Sequence, residues 1–416
     1  MSYEKAIQSP IEQGGLGRSA MDQREIDAVA GLLRDPDRMW RYHEESHSRL
    51  FSKEVREIVG SKFALMVNSG TSALVCCLAG LGVGIGDEVI VQGYTYIATA
   101  SACIDVGAIP IVAEIDDSLS LDPDDVERKI TPRTKAVIMA HMQGVPGRLE
   151  EVRDVAKKHG LFFIEDCCQA IGAKYRGDHV GATSDAFCWS LNFWKTITCG
   201  EGGVFFTNQD DVFLRGFYLS DPAAKLWQNN YGEGMTPIPD FSRGCFRLSE
   251  ICAAVARVQL QKLDGMLEKT RALKKVLLGE LDSPVHYALQ HVSDADGDCG
   301  ISAALILNNV ADYEKFAEAL LREGLDVGGA AYRDAFPDRH VYRYWDALYH
   351  EGKESNTLNY PWNNPAYKGD PGYYREMCPR TLDILSRSIR LSIHPTLTEQ
   401  NMKEFALAIN RADKSF

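Results

Sequence analysis

The sequence lacks the features that would assign it to a membrane or to the cell exterior. No stretch approaches the roughly 18 uninterrupted apolar residues of a membrane-spanning helix, and the opening MSYEKAIQSPIEQGG has no signal-like basic start or apolar run. The eleven cysteines are an odd number, and neighbours such as Cys76-Cys77 and Cys167-Cys168 do not follow C-x-x-C spacing. We therefore expect buried reduced thiols, no bound metal and a cytoplasmic protein.

Positive charge is also scarce. The 416-residue chain carries 45 Lys and Arg against 58 Asp and Glu, a formal net charge of −13 at pH 7. A surface of this sign repels nucleic acid and anionic membranes over a Debye length, so we expect neither as a partner. At about 100–200 residues per domain, the length predicts two or three lobes. A small molecule is the expected partner.

Short apolar runs alternate with helical segments through the middle of the chain. Each run is about as long as a strand that is buried on both faces. The runs are FALMVN from 63, EVIVQ from 88, IPIVAEI from 109, KAVIMAH from 135 and LFFIED from 161. This alternation predicts a parallel sheet with crossover helices. Two amphipathic helices are expected before the sheet, the first with Ile26, Val29, Leu32 and Leu33 on its apolar face.

The last third of the chain repeats the alternation on a smaller scale. A periodic helix is predicted from about Leu248 to Leu267, and strand, helix, strand and helix then follow between ISAALIL and INRA. We therefore expect a large domain over residues 1–265 and a small C-terminal α/β domain over residues 266–416. The stretch 219–244, rich in Gly, Pro and Asn, predicts a long surface loop with substrate or partner contacts.

Lys195 is the first candidate for chemistry. It lies in Ser190-Leu-Asn-Phe-Trp-Lys-Thr-Ile-Thr-Cys-Gly-Glu-Gly-Gly203, with apolar neighbours and few charged ones. An amine in such surroundings loses its proton more readily than a solvated amine, which favours a nucleophile toward an aldehyde. The glycines that follow let the backbone approach a flat ligand. Taken alone, the residue is better explained as a solvated surface lysine.

Three further groups follow predicted strands. Asn68-Ser-Gly-Thr-Ser-Ala73 lies where a strand gives way to a helix, and free N–H groups at a helix start bind phosphate. Asp166 ends the run LFFIED, where ligands of open α/β sheets bind, and a carboxylate there needs a cationic partner. Tyr96 could stack on a flat ring. Singly, the segment at 68–73 also fits a simple helix N-cap, Asp166 a helix cap or an ion pair with an arginine, and Tyr96 a core aromatic.

Together these residues are the parts of a pyridoxal 5'-phosphate (PLP) site, in the order that such a site requires. Lys195 would bind the cofactor covalently, and Asp166 would keep the pyridine nitrogen protonated so that the ring can accept electrons. Tyr96 would cover one face of the ring. The phosphate contacts are assigned to Gly70, Thr71 and Ser190.

At these residues the sequence resembles the DegT/DnrJ/StrS family of sugar aminotransferases, within the fold type I PLP enzymes. The matching segments are NSGTSAL from 68, GDEVIV from 86, YTYIATA from 94, GAIPIVAEID from 107, IEDCCQAIGA from 164, SLNFWKTITCGEGG from 190 and FRLSEICAAVARVQL from 246. The resemblance runs from about residue 20 to the C-terminus and is strongest between 60 and 260.

The resemblance implies a fold, an assembly and an activity. The expected fold is α/β, with a mostly parallel seven-stranded sheet flanked by helices and a smaller C-terminal α/β domain. The expected assembly is a homodimer with shared active sites. The expected activity is transfer of an amino group from glutamate or glutamine to a keto group of a sugar or cyclitol. Gln169 would lie near the cofactor ring, and Asn192 near the substrate or the phosphate.

The sequence departs from the family pattern in one segment. Family members commonly carry Asn in a G-x-N-Y-R segment, and that Asn reaches the cofactor phosphate of the partner subunit. Here the segment is Ser242-Arg-Gly-Cys-Phe-Arg247, with Cys245 in place of the Asn. Arg243 is a hypothetical replacement contact. Relatives that act as dehydratases have histidine in place of the lysine, and this chain keeps Lys195.

Other functions stay open at this point. A dinucleotide oxidoreductase is suggested only by Gly80-Leu-Gly-Val-Gly-Ile-Gly86, which follows a predicted helix and precedes a strand, the reverse of the Rossmann order. A PLP-dependent lyase or dehydratase, or a non-catalytic regulator that binds PLP or sugar, would use the same residues. Acceptor contacts are expected in 219–244 and in the aromatic segment 332–362, which could equally be ordinary packing.

Overall fold

The structure, a computed structural model, describes residues 5–7, 15–230, 235–236, 238–239, 244–327, 338–349 and 361–415. The strands are β1 Phe63–Val67, β2 Glu88–Gln92, β3 Ile109–Ala113, β4 Thr134–Ala140, β5 Phe162–Asp166, β6 Lys174–Tyr175, β7 Asp178–His179, β8 Ala186–Ser190, β9 Gly203–Thr207, β10 Tyr287–Leu289, β11 Ser302–Leu307 and β12 Ser388–Ser392. The α-helices are α1 Leu16–Ser19, α2 Gln23–Arg34, α3 His47–Val59, α4 Gly70–Gly80, α5 Ala98–Val106, α6 Pro123–Lys129, α7 Leu149–Lys158, α8 Asp210–Ser220, α9 Glu250–Gly279, α10 Tyr313–Arg322, α11 Asp346–Tyr349, α12 Pro379–Ser386 and α13 Glu399–Asp413.

The main sheet has seven strands in the order β1-β9-β8-β5-β4-β2-β3. Strands β8, β5, β4, β2 and β3 are mutually parallel, and β9 runs antiparallel to both β8 and β1. This confirms the mostly parallel sheet expected from the sequence. Because parallel strands end at the same edge of a sheet, the residues that follow β4, β5 and β8 come together there.

The strands of this sheet are buried because helices cover both faces. In β1, Leu65 and Val67 pack into the apolar cluster that also contains α4 and α8, whereas Ala64 and Met66 pack into the cluster with α3, α7 and α9. Successive side chains of a strand point to opposite faces, so a strand covered on both sides has no polar alternation. The apolar runs in the sequence therefore predicted these strands correctly.

A second sheet, β10-β11-β12, is antiparallel and packs with α10 and α13 around its own apolar cluster. Helix α9 connects the two sheets and reaches Gly279, twelve residues beyond the predicted end. Its buried stripe continues through Thr270, Leu273 and Leu277, which explains the extension. Residue 265 lies inside this helix, and the domain division at 265/266 stays a prediction.

Helix α2 does not bury the face that the sequence predicts. Leu32 is buried, but Ile26 and Leu33 are 61% and 56% exposed. The helix instead packs against α9 through Glu25, whose carboxylate is 2.6 Å from the Lys262 amine. The predicted helix is present, but within one chain Leu32 is buried, Val29 is half-buried, and Ile26 and Leu33 face outward. No helix in the described ranges has both the length and the apolar character needed to cross a membrane.

Candidate active site

A cavity of about 730 Å³ lies at the edge of the main sheet where β5 and β8 end. Every site residue predicted from the sequence lines it: Gly70, Thr71, Tyr96, Asp166, Gln169, Ser190, Asn192 and Lys195. These residues come from four separate segments of the chain. Their roles as cofactor ligands stay predictions, but the structure places them together around one space.

We call Gly70, Asp166, Ser190 and Lys195 the cavity floor. Helix α4 begins at Gly70, and the hydroxyl of the N-cap Ser69 accepts a 3.0 Å hydrogen bond from the Ser72 N–H. A Cβ atom on Gly70 would lie 2.7 Å from the Ser190 Cβ, so a larger residue would fill the space above β8. The helix start is therefore an open cradle in which N–H groups of the first turn can bind an anion.

The glycine cluster after Lys195 has a packing reason. Gly203 begins β9, and a Cβ atom there would lie 2.2 Å from the Ser69 carbonyl oxygen, which no side chain could tolerate. Gly200 has φ +89°, the left-handed backbone that glycine adopts without strain. The glycines thus bring the lysine loop and the start of α4 close together.

Asp166 is a buried carboxylate that forms hydrogen bonds but no ion pair among the residues that the structure describes. The Thr99 hydroxyl donates to it at 2.8 Å, and the Cys168 N–H donates at 3.1 Å. Across the described residues, no Lys, Arg or His forms an ion pair with Asp166, so the alternative of a structural arginine pair finds no support. Burying a carboxylate costs free energy unless a cation pairs with it. We therefore expect a ligand to place a cationic group beside Asp166.

Lys195 extends from a loop whose backbone is fixed on both sides. Its N–H donates to the Asn192 carbonyl at 3.0 Å, and its carbonyl accepts from the Gly17 N–H at 3.1 Å. Among the residues that the structure describes, no carboxylate pairs with the Lys195 amine. Phe193 and Trp194 are 37% and 65% exposed and Lys195 is half-buried, so the effect of these apolar neighbours on the Lys195 amine stays a prediction.

The N-terminal segment around Gly15 and Gly17 packs against the lysine loop, and the sequence analysis did not predict this contact. A Cβ atom on Gly15 would lie 2.4 Å from the Phe193 carbonyl oxygen, and one on Gly17 would lie 2.8 Å from the Thr198 nitrogen. Only glycines fit so close to the lysine loop. The spacing Gly-x-Gly was visible, but nothing local indicates what it packs against.

Asn192, Tyr96 and Gln169 complete the predicted set. The Asn192 N–H donates to the Ser190 hydroxyl at 3.3 Å, and its side-chain amide donates to Glu201 at 2.9 Å. Tyr96 is 56% exposed on the cavity wall, so it is not the core aromatic of the alternative interpretation. The Gln169 side-chain oxygen accepts from the Gln143 N–H at 3.1 Å.

A second group of residues forms what we call the cavity rim: Tyr94, Gln143, Asp338, His340 and Arg390. Asp338 and His340 lie in the segment 332–362 where acceptor contacts are expected, whereas the other three were not predicted as site residues. The Asp338 carboxylate accepts from the Tyr94 hydroxyl at 2.6 Å, lies 2.5 Å from the His340 ring and lies 3.4 Å from the Arg390 guanidinium. The Gln143 amide donates to the Tyr94 hydroxyl. His340 and Arg390 line the cavity.

The rim network controls the charge of its members. Burial alone would raise the pKa of Asp338, but the hydrogen bond and charge of His340 and the charge of Arg390 hold this pKa well below its usual range. Burial, reinforced by the Asp338 charge, raises the pKa of the Tyr94 hydroxyl well above its ordinary value. Asp338 is therefore ionised and Tyr94 neutral at any physiological pH.

The eleven cysteines are free thiols, but the expected burial holds for eight of them, since Cys168 and Cys252 are half-buried and Cys245 is exposed. Cys168 and Cys188 lie beside Asp166 with their sulfur atoms 3.6 Å apart, and burial raises the pKa of the Cys188 thiol well above its ordinary value. Cys245, which replaces the expected Asn, is exposed and accepts a hydrogen bond from Arg247 at 3.2 Å. Arg243 lies outside the described residues, so its phosphate contact stays a hypothesis.

The two segments expected to contact the acceptor are described in part. Residues 231–234, 237 and 240–243 of the first, and 332–337 and 350–360 of the second, lie outside the described ranges. Within 219–230, the Asp221 carboxylate accepts from the Tyr42 hydroxyl at 2.5 Å. In the second segment His340 lines the cavity, and the remaining acceptor contacts stay predictions.

Several characterised proteins are similar to this chain. It is 35% identical over 232 residues to GDP-perosamine synthase of Vibrio cholerae, and 37% identical over 235 residues to L-glutamine:scyllo-inosose aminotransferase of Streptomyces griseus. These matches span 56% and 55% of this chain, but only 61% and 55% of the two relatives.

Solved structures match over nearly the whole fold. An aminotransferase from Psychrobacter cryohalolentis superposes with a TM-score of 0.75 at 24% identity, covering 96% of this chain and 98% of that one. DesV of S. venezuelae gives 0.72 at 26% identity, covering 95% and 97%. Residues 20–361 match the DegT/DnrJ/EryC1/StrS aminotransferase family. The chain therefore belongs to this family, with the fold of the type I PLP aminotransferases.

Proposed function

We propose that this protein is a PLP-dependent aminotransferase that moves an amino group from L-glutamate or L-glutamine to a keto group of a sugar or cyclitol. One observation carries the proposal. As far as the described residues extend, one cavity is lined by the Asp166 carboxylate, which has no cationic partner, by the Lys195 amine, which has no carboxylate partner, and by the start of α4 at Gly70. These are complementary to the pyridine nitrogen, the aldehyde and the phosphate of one cofactor.

The residues present fit this cofactor. When bound, PLP supplies an aldehyde that condenses with amines and a ring that accepts electrons. Asp166, fixed by Thr99 and the Cys168 N–H, would hold the proton on the ring nitrogen. The first turn of α4, with Thr71 and the Ser190 hydroxyl, would bind the phosphate, and the space that a Cβ on Gly70 would fill is available for it.

Lys195 has two proposed roles at one atom. Its Nζ atom would anchor the cofactor covalently and, once displaced by the donor amine, would accept a proton from the donor carbon and return it at the cofactor. Tyr96 would cover one face of the ring, with Gln169 beside it and Asn192 toward the substrate. Because donor and acceptor would use the same cavity in turn, ping-pong kinetics are expected.

The substrates are proposed from the relatives. One relative is named for L-glutamine and scyllo-inosose, and another for GDP-perosamine, which supports an amino-acid donor and a sugar or cyclitol acceptor. We also propose a homodimer with shared active sites. The exposed apolar side chains of Ile26, Leu33 and Trp194 support it, since Trp194 lines the cavity and large exposed apolar groups favour an interface.

Replacing Lys195 with alanine tests the proposal. We expect a folded protein, judged by circular dichroism, whose transfer from L-glutamate or L-glutamine to a panel of keto sugars and cyclitols is roughly 10²- to 10⁴-fold slower, because the proton-transfer group is lost. Lys269→Ala, an exposed lysine on α9, is the matched control. An active Lys195→Ala variant would rule the proposal out. Turnover without an amine donor would favour a PLP-dependent lyase instead.

A further inference from the structure

Two cysteine thiols lie beside Asp166, and the proposed function uses neither of them. Cys168 follows β5 and lines the cavity, and Cys188 lies in the neighbouring strand β8. Their sulfur atoms are 3.6 Å apart, and the Cys188 sulfur is 3.8 Å from the Oδ1 atom of Asp166. The two sulfur atoms and a carboxylate oxygen all lie within 4.8 Å of one another. Three groups that can bind a metal ion therefore converge on one point.

The main sheet fixes this arrangement. Strands β5 and β8 are parallel neighbours, and Asp166 is paired in register with Cys188. The Cys168 N–H donates to Oδ1 of Asp166 at 3.1 Å, which holds the chain after β5 close to the carboxylate. Thr99 donates to the other carboxylate oxygen at 2.8 Å. Because outer contacts of this kind orient metal ligands, the three groups are positioned before an ion binds.

The distances match tetrahedral coordination of a thiophilic ion. Zn²⁺ binds thiolate sulfur at about 2.3 Å and carboxylate oxygen at about 2.0–2.2 Å. At tetrahedral angles these bond lengths place two sulfur atoms about 3.8 Å apart, and a sulfur atom about 3.5 Å from an oxygen atom. The observed separations are 3.6 Å and 3.8 Å. Ions such as Mg²⁺ and Ca²⁺ prefer about six or more oxygen ligands, and only one of these three groups offers oxygen.

The fourth coordination position faces the cavity. Asp166 and Cys188 are buried, whereas Cys168 is half-buried and lines the cavity. An ion can therefore reach the three ligands from the cavity and complete its coordination with water, as zinc does where a protein supplies three ligands. Lys195 interacts electrostatically with Cys168, so a cationic side chain offsets part of the negative charge that thiolates and a carboxylate bring together.

We propose that Asp166, Cys168 and Cys188 bind one thiophilic divalent ion, with Zn²⁺ as the probe, when the cofactor is absent. Each thiol loses its proton to solvent as the ion binds. Because Asp166 is also the proposed partner of the ring nitrogen, the ion and PLP exclude each other, and this second statement rests on the proposed function. The two cysteines are 20 positions apart, so no short motif reveals the site in the sequence.

Equilibrium dialysis of the reduced, cofactor-free protein against Zn²⁺ measures the site. We expect one ion per chain, bound at least about 100-fold more weakly by Cys168→Ser and by Cys188→Ser, since each variant lacks a thiolate ligand. Cys245→Ser, which removes an exposed thiol, is the matched control and should bind as the wild type. Asp166→Asn keeps the side-chain volume and should weaken binding about tenfold or more. Circular dichroism checks that each variant is folded.

Cadmium identifies the ligands directly. One equivalent of Cd²⁺ should give the wild type an ultraviolet thiolate-to-metal absorbance, and either serine variant should lose about half of it or more, since one of two thiolates is gone. No such absorbance in the wild type, or the same Zn²⁺ affinity in the wild type and both serine variants, would overturn the site and leave an adventitious ion only.

The cofactor-loaded protein tests the exclusion. With PLP at about 100 times its dissociation constant, competition for one site should weaken Zn²⁺ binding about 100-fold. Unchanged Zn²⁺ binding with PLP still attached would overturn the exclusion. If the chain binds no PLP, the proposed function fails while ion binding by the cofactor-free chain stands. If the chain transfers amino groups but the serine variants keep full Zn²⁺ affinity, the metal site fails and the aminotransferase proposal stands.

Discussion

The floor and the rim of the cavity are built in different ways. The floor residues end or follow strands β1, β5 and β8 of one sheet, and the close approach of Gly203 to the Ser69 and Gly70 backbone fixes the start of α4 among them. The rim residues come from segments up to 296 positions apart, Tyr94 to Arg390, and side-chain hydrogen bonds hold them together. Backbone packing is rigid, whereas a network of side-chain hydrogen bonds loses its geometry when one of its hydroxyl groups is removed.

This difference predicts a separation of functions. Substitutions in the floor should weaken cofactor binding, and substitutions in the rim should weaken substrate binding while the cofactor stays bound. The predictions below test that separation. A floor variant that spares the cofactor, or a rim variant that releases it, would contradict it.

Asp166→Asn should have the largest effect. Asparagine retains the hydrogen bond to Thr99 but offers no charge to the ring nitrogen, and breaking a buried ion pair costs about 3–5 kcal/mol. We expect the dissociation constant of PLP to rise by about 100-fold or more. The cofactor-free variant should unfold at the same or a higher temperature than the cofactor-free wild type, since a lone buried carboxylate is removed.

Absorbance titration and thermal unfolding measure these two quantities. Asp178→Asn, on the exposed strand β7, is the control and should change neither. Unaltered PLP affinity in Asp166→Asn would show that the carboxylate does not face the cofactor.

Gly70→Ala should have an intermediate effect. Its methyl group would lie 2.7 Å from the Ser190 Cβ and 3.1 Å from the Cys168 sulfur, inside the cradle. We expect about tenfold weaker PLP binding and a free energy of unfolding lowered by about 1–3 kcal/mol, the usual cost of overpacking. The control is Gly265→Ala in α9, where a methyl group would meet nothing within 4 Å. Gly265→Ala should raise the free energy of unfolding by about 0.5–1 kcal/mol. A similar gain in Gly70→Ala would contradict the assignment of the α4 start as a tight phosphate cradle.

Tyr94→Phe should have the smallest effect, confined to the rim. It removes the hydroxyl that joins Gln143 to Asp338, so the free energy of unfolding should fall by about 1–2 kcal/mol. Substrate affinity should weaken several-fold while the PLP dissociation constant stays unchanged. Tyr313→Phe is the control: its buried hydroxyl has no partner within the described part of the chain, so its loss should be neutral or stabilising. Loss of PLP from Tyr94→Phe would show that the rim also holds the cofactor, and would contradict the separate roles of floor and rim.

The sequence predicted the floor because local patterns encode it. Strand β5 is an apolar run that ends in Asp166, α4 starts at a Ser-Gly-Thr signature, and Lys195 precedes glycines, so each position could be inferred within a few residues. For the rim, the sequence indicated only the broad segment 332–362 that contains Asp338 and His340. The contacts of Asp338 with Tyr94 and Arg390 could not be inferred, because they arise only through tertiary packing. The exposure of Ile26 and Leu33 on α2 could not be predicted for a related reason, since periodicity shows that a helix is amphipathic but not what covers its apolar side.

The most direct test of the account is to identify the lysine that carries the cofactor. Borohydride reduction of the PLP-loaded protein, followed by protease digestion and peptide mass mapping, fixes the cofactor to its attachment site. We predict a single pyridoxyl group on Lys195, and none in Lys195→Ala. Modification of a different lysine, or of none, would contradict the assignment of this cavity as the site of chemistry.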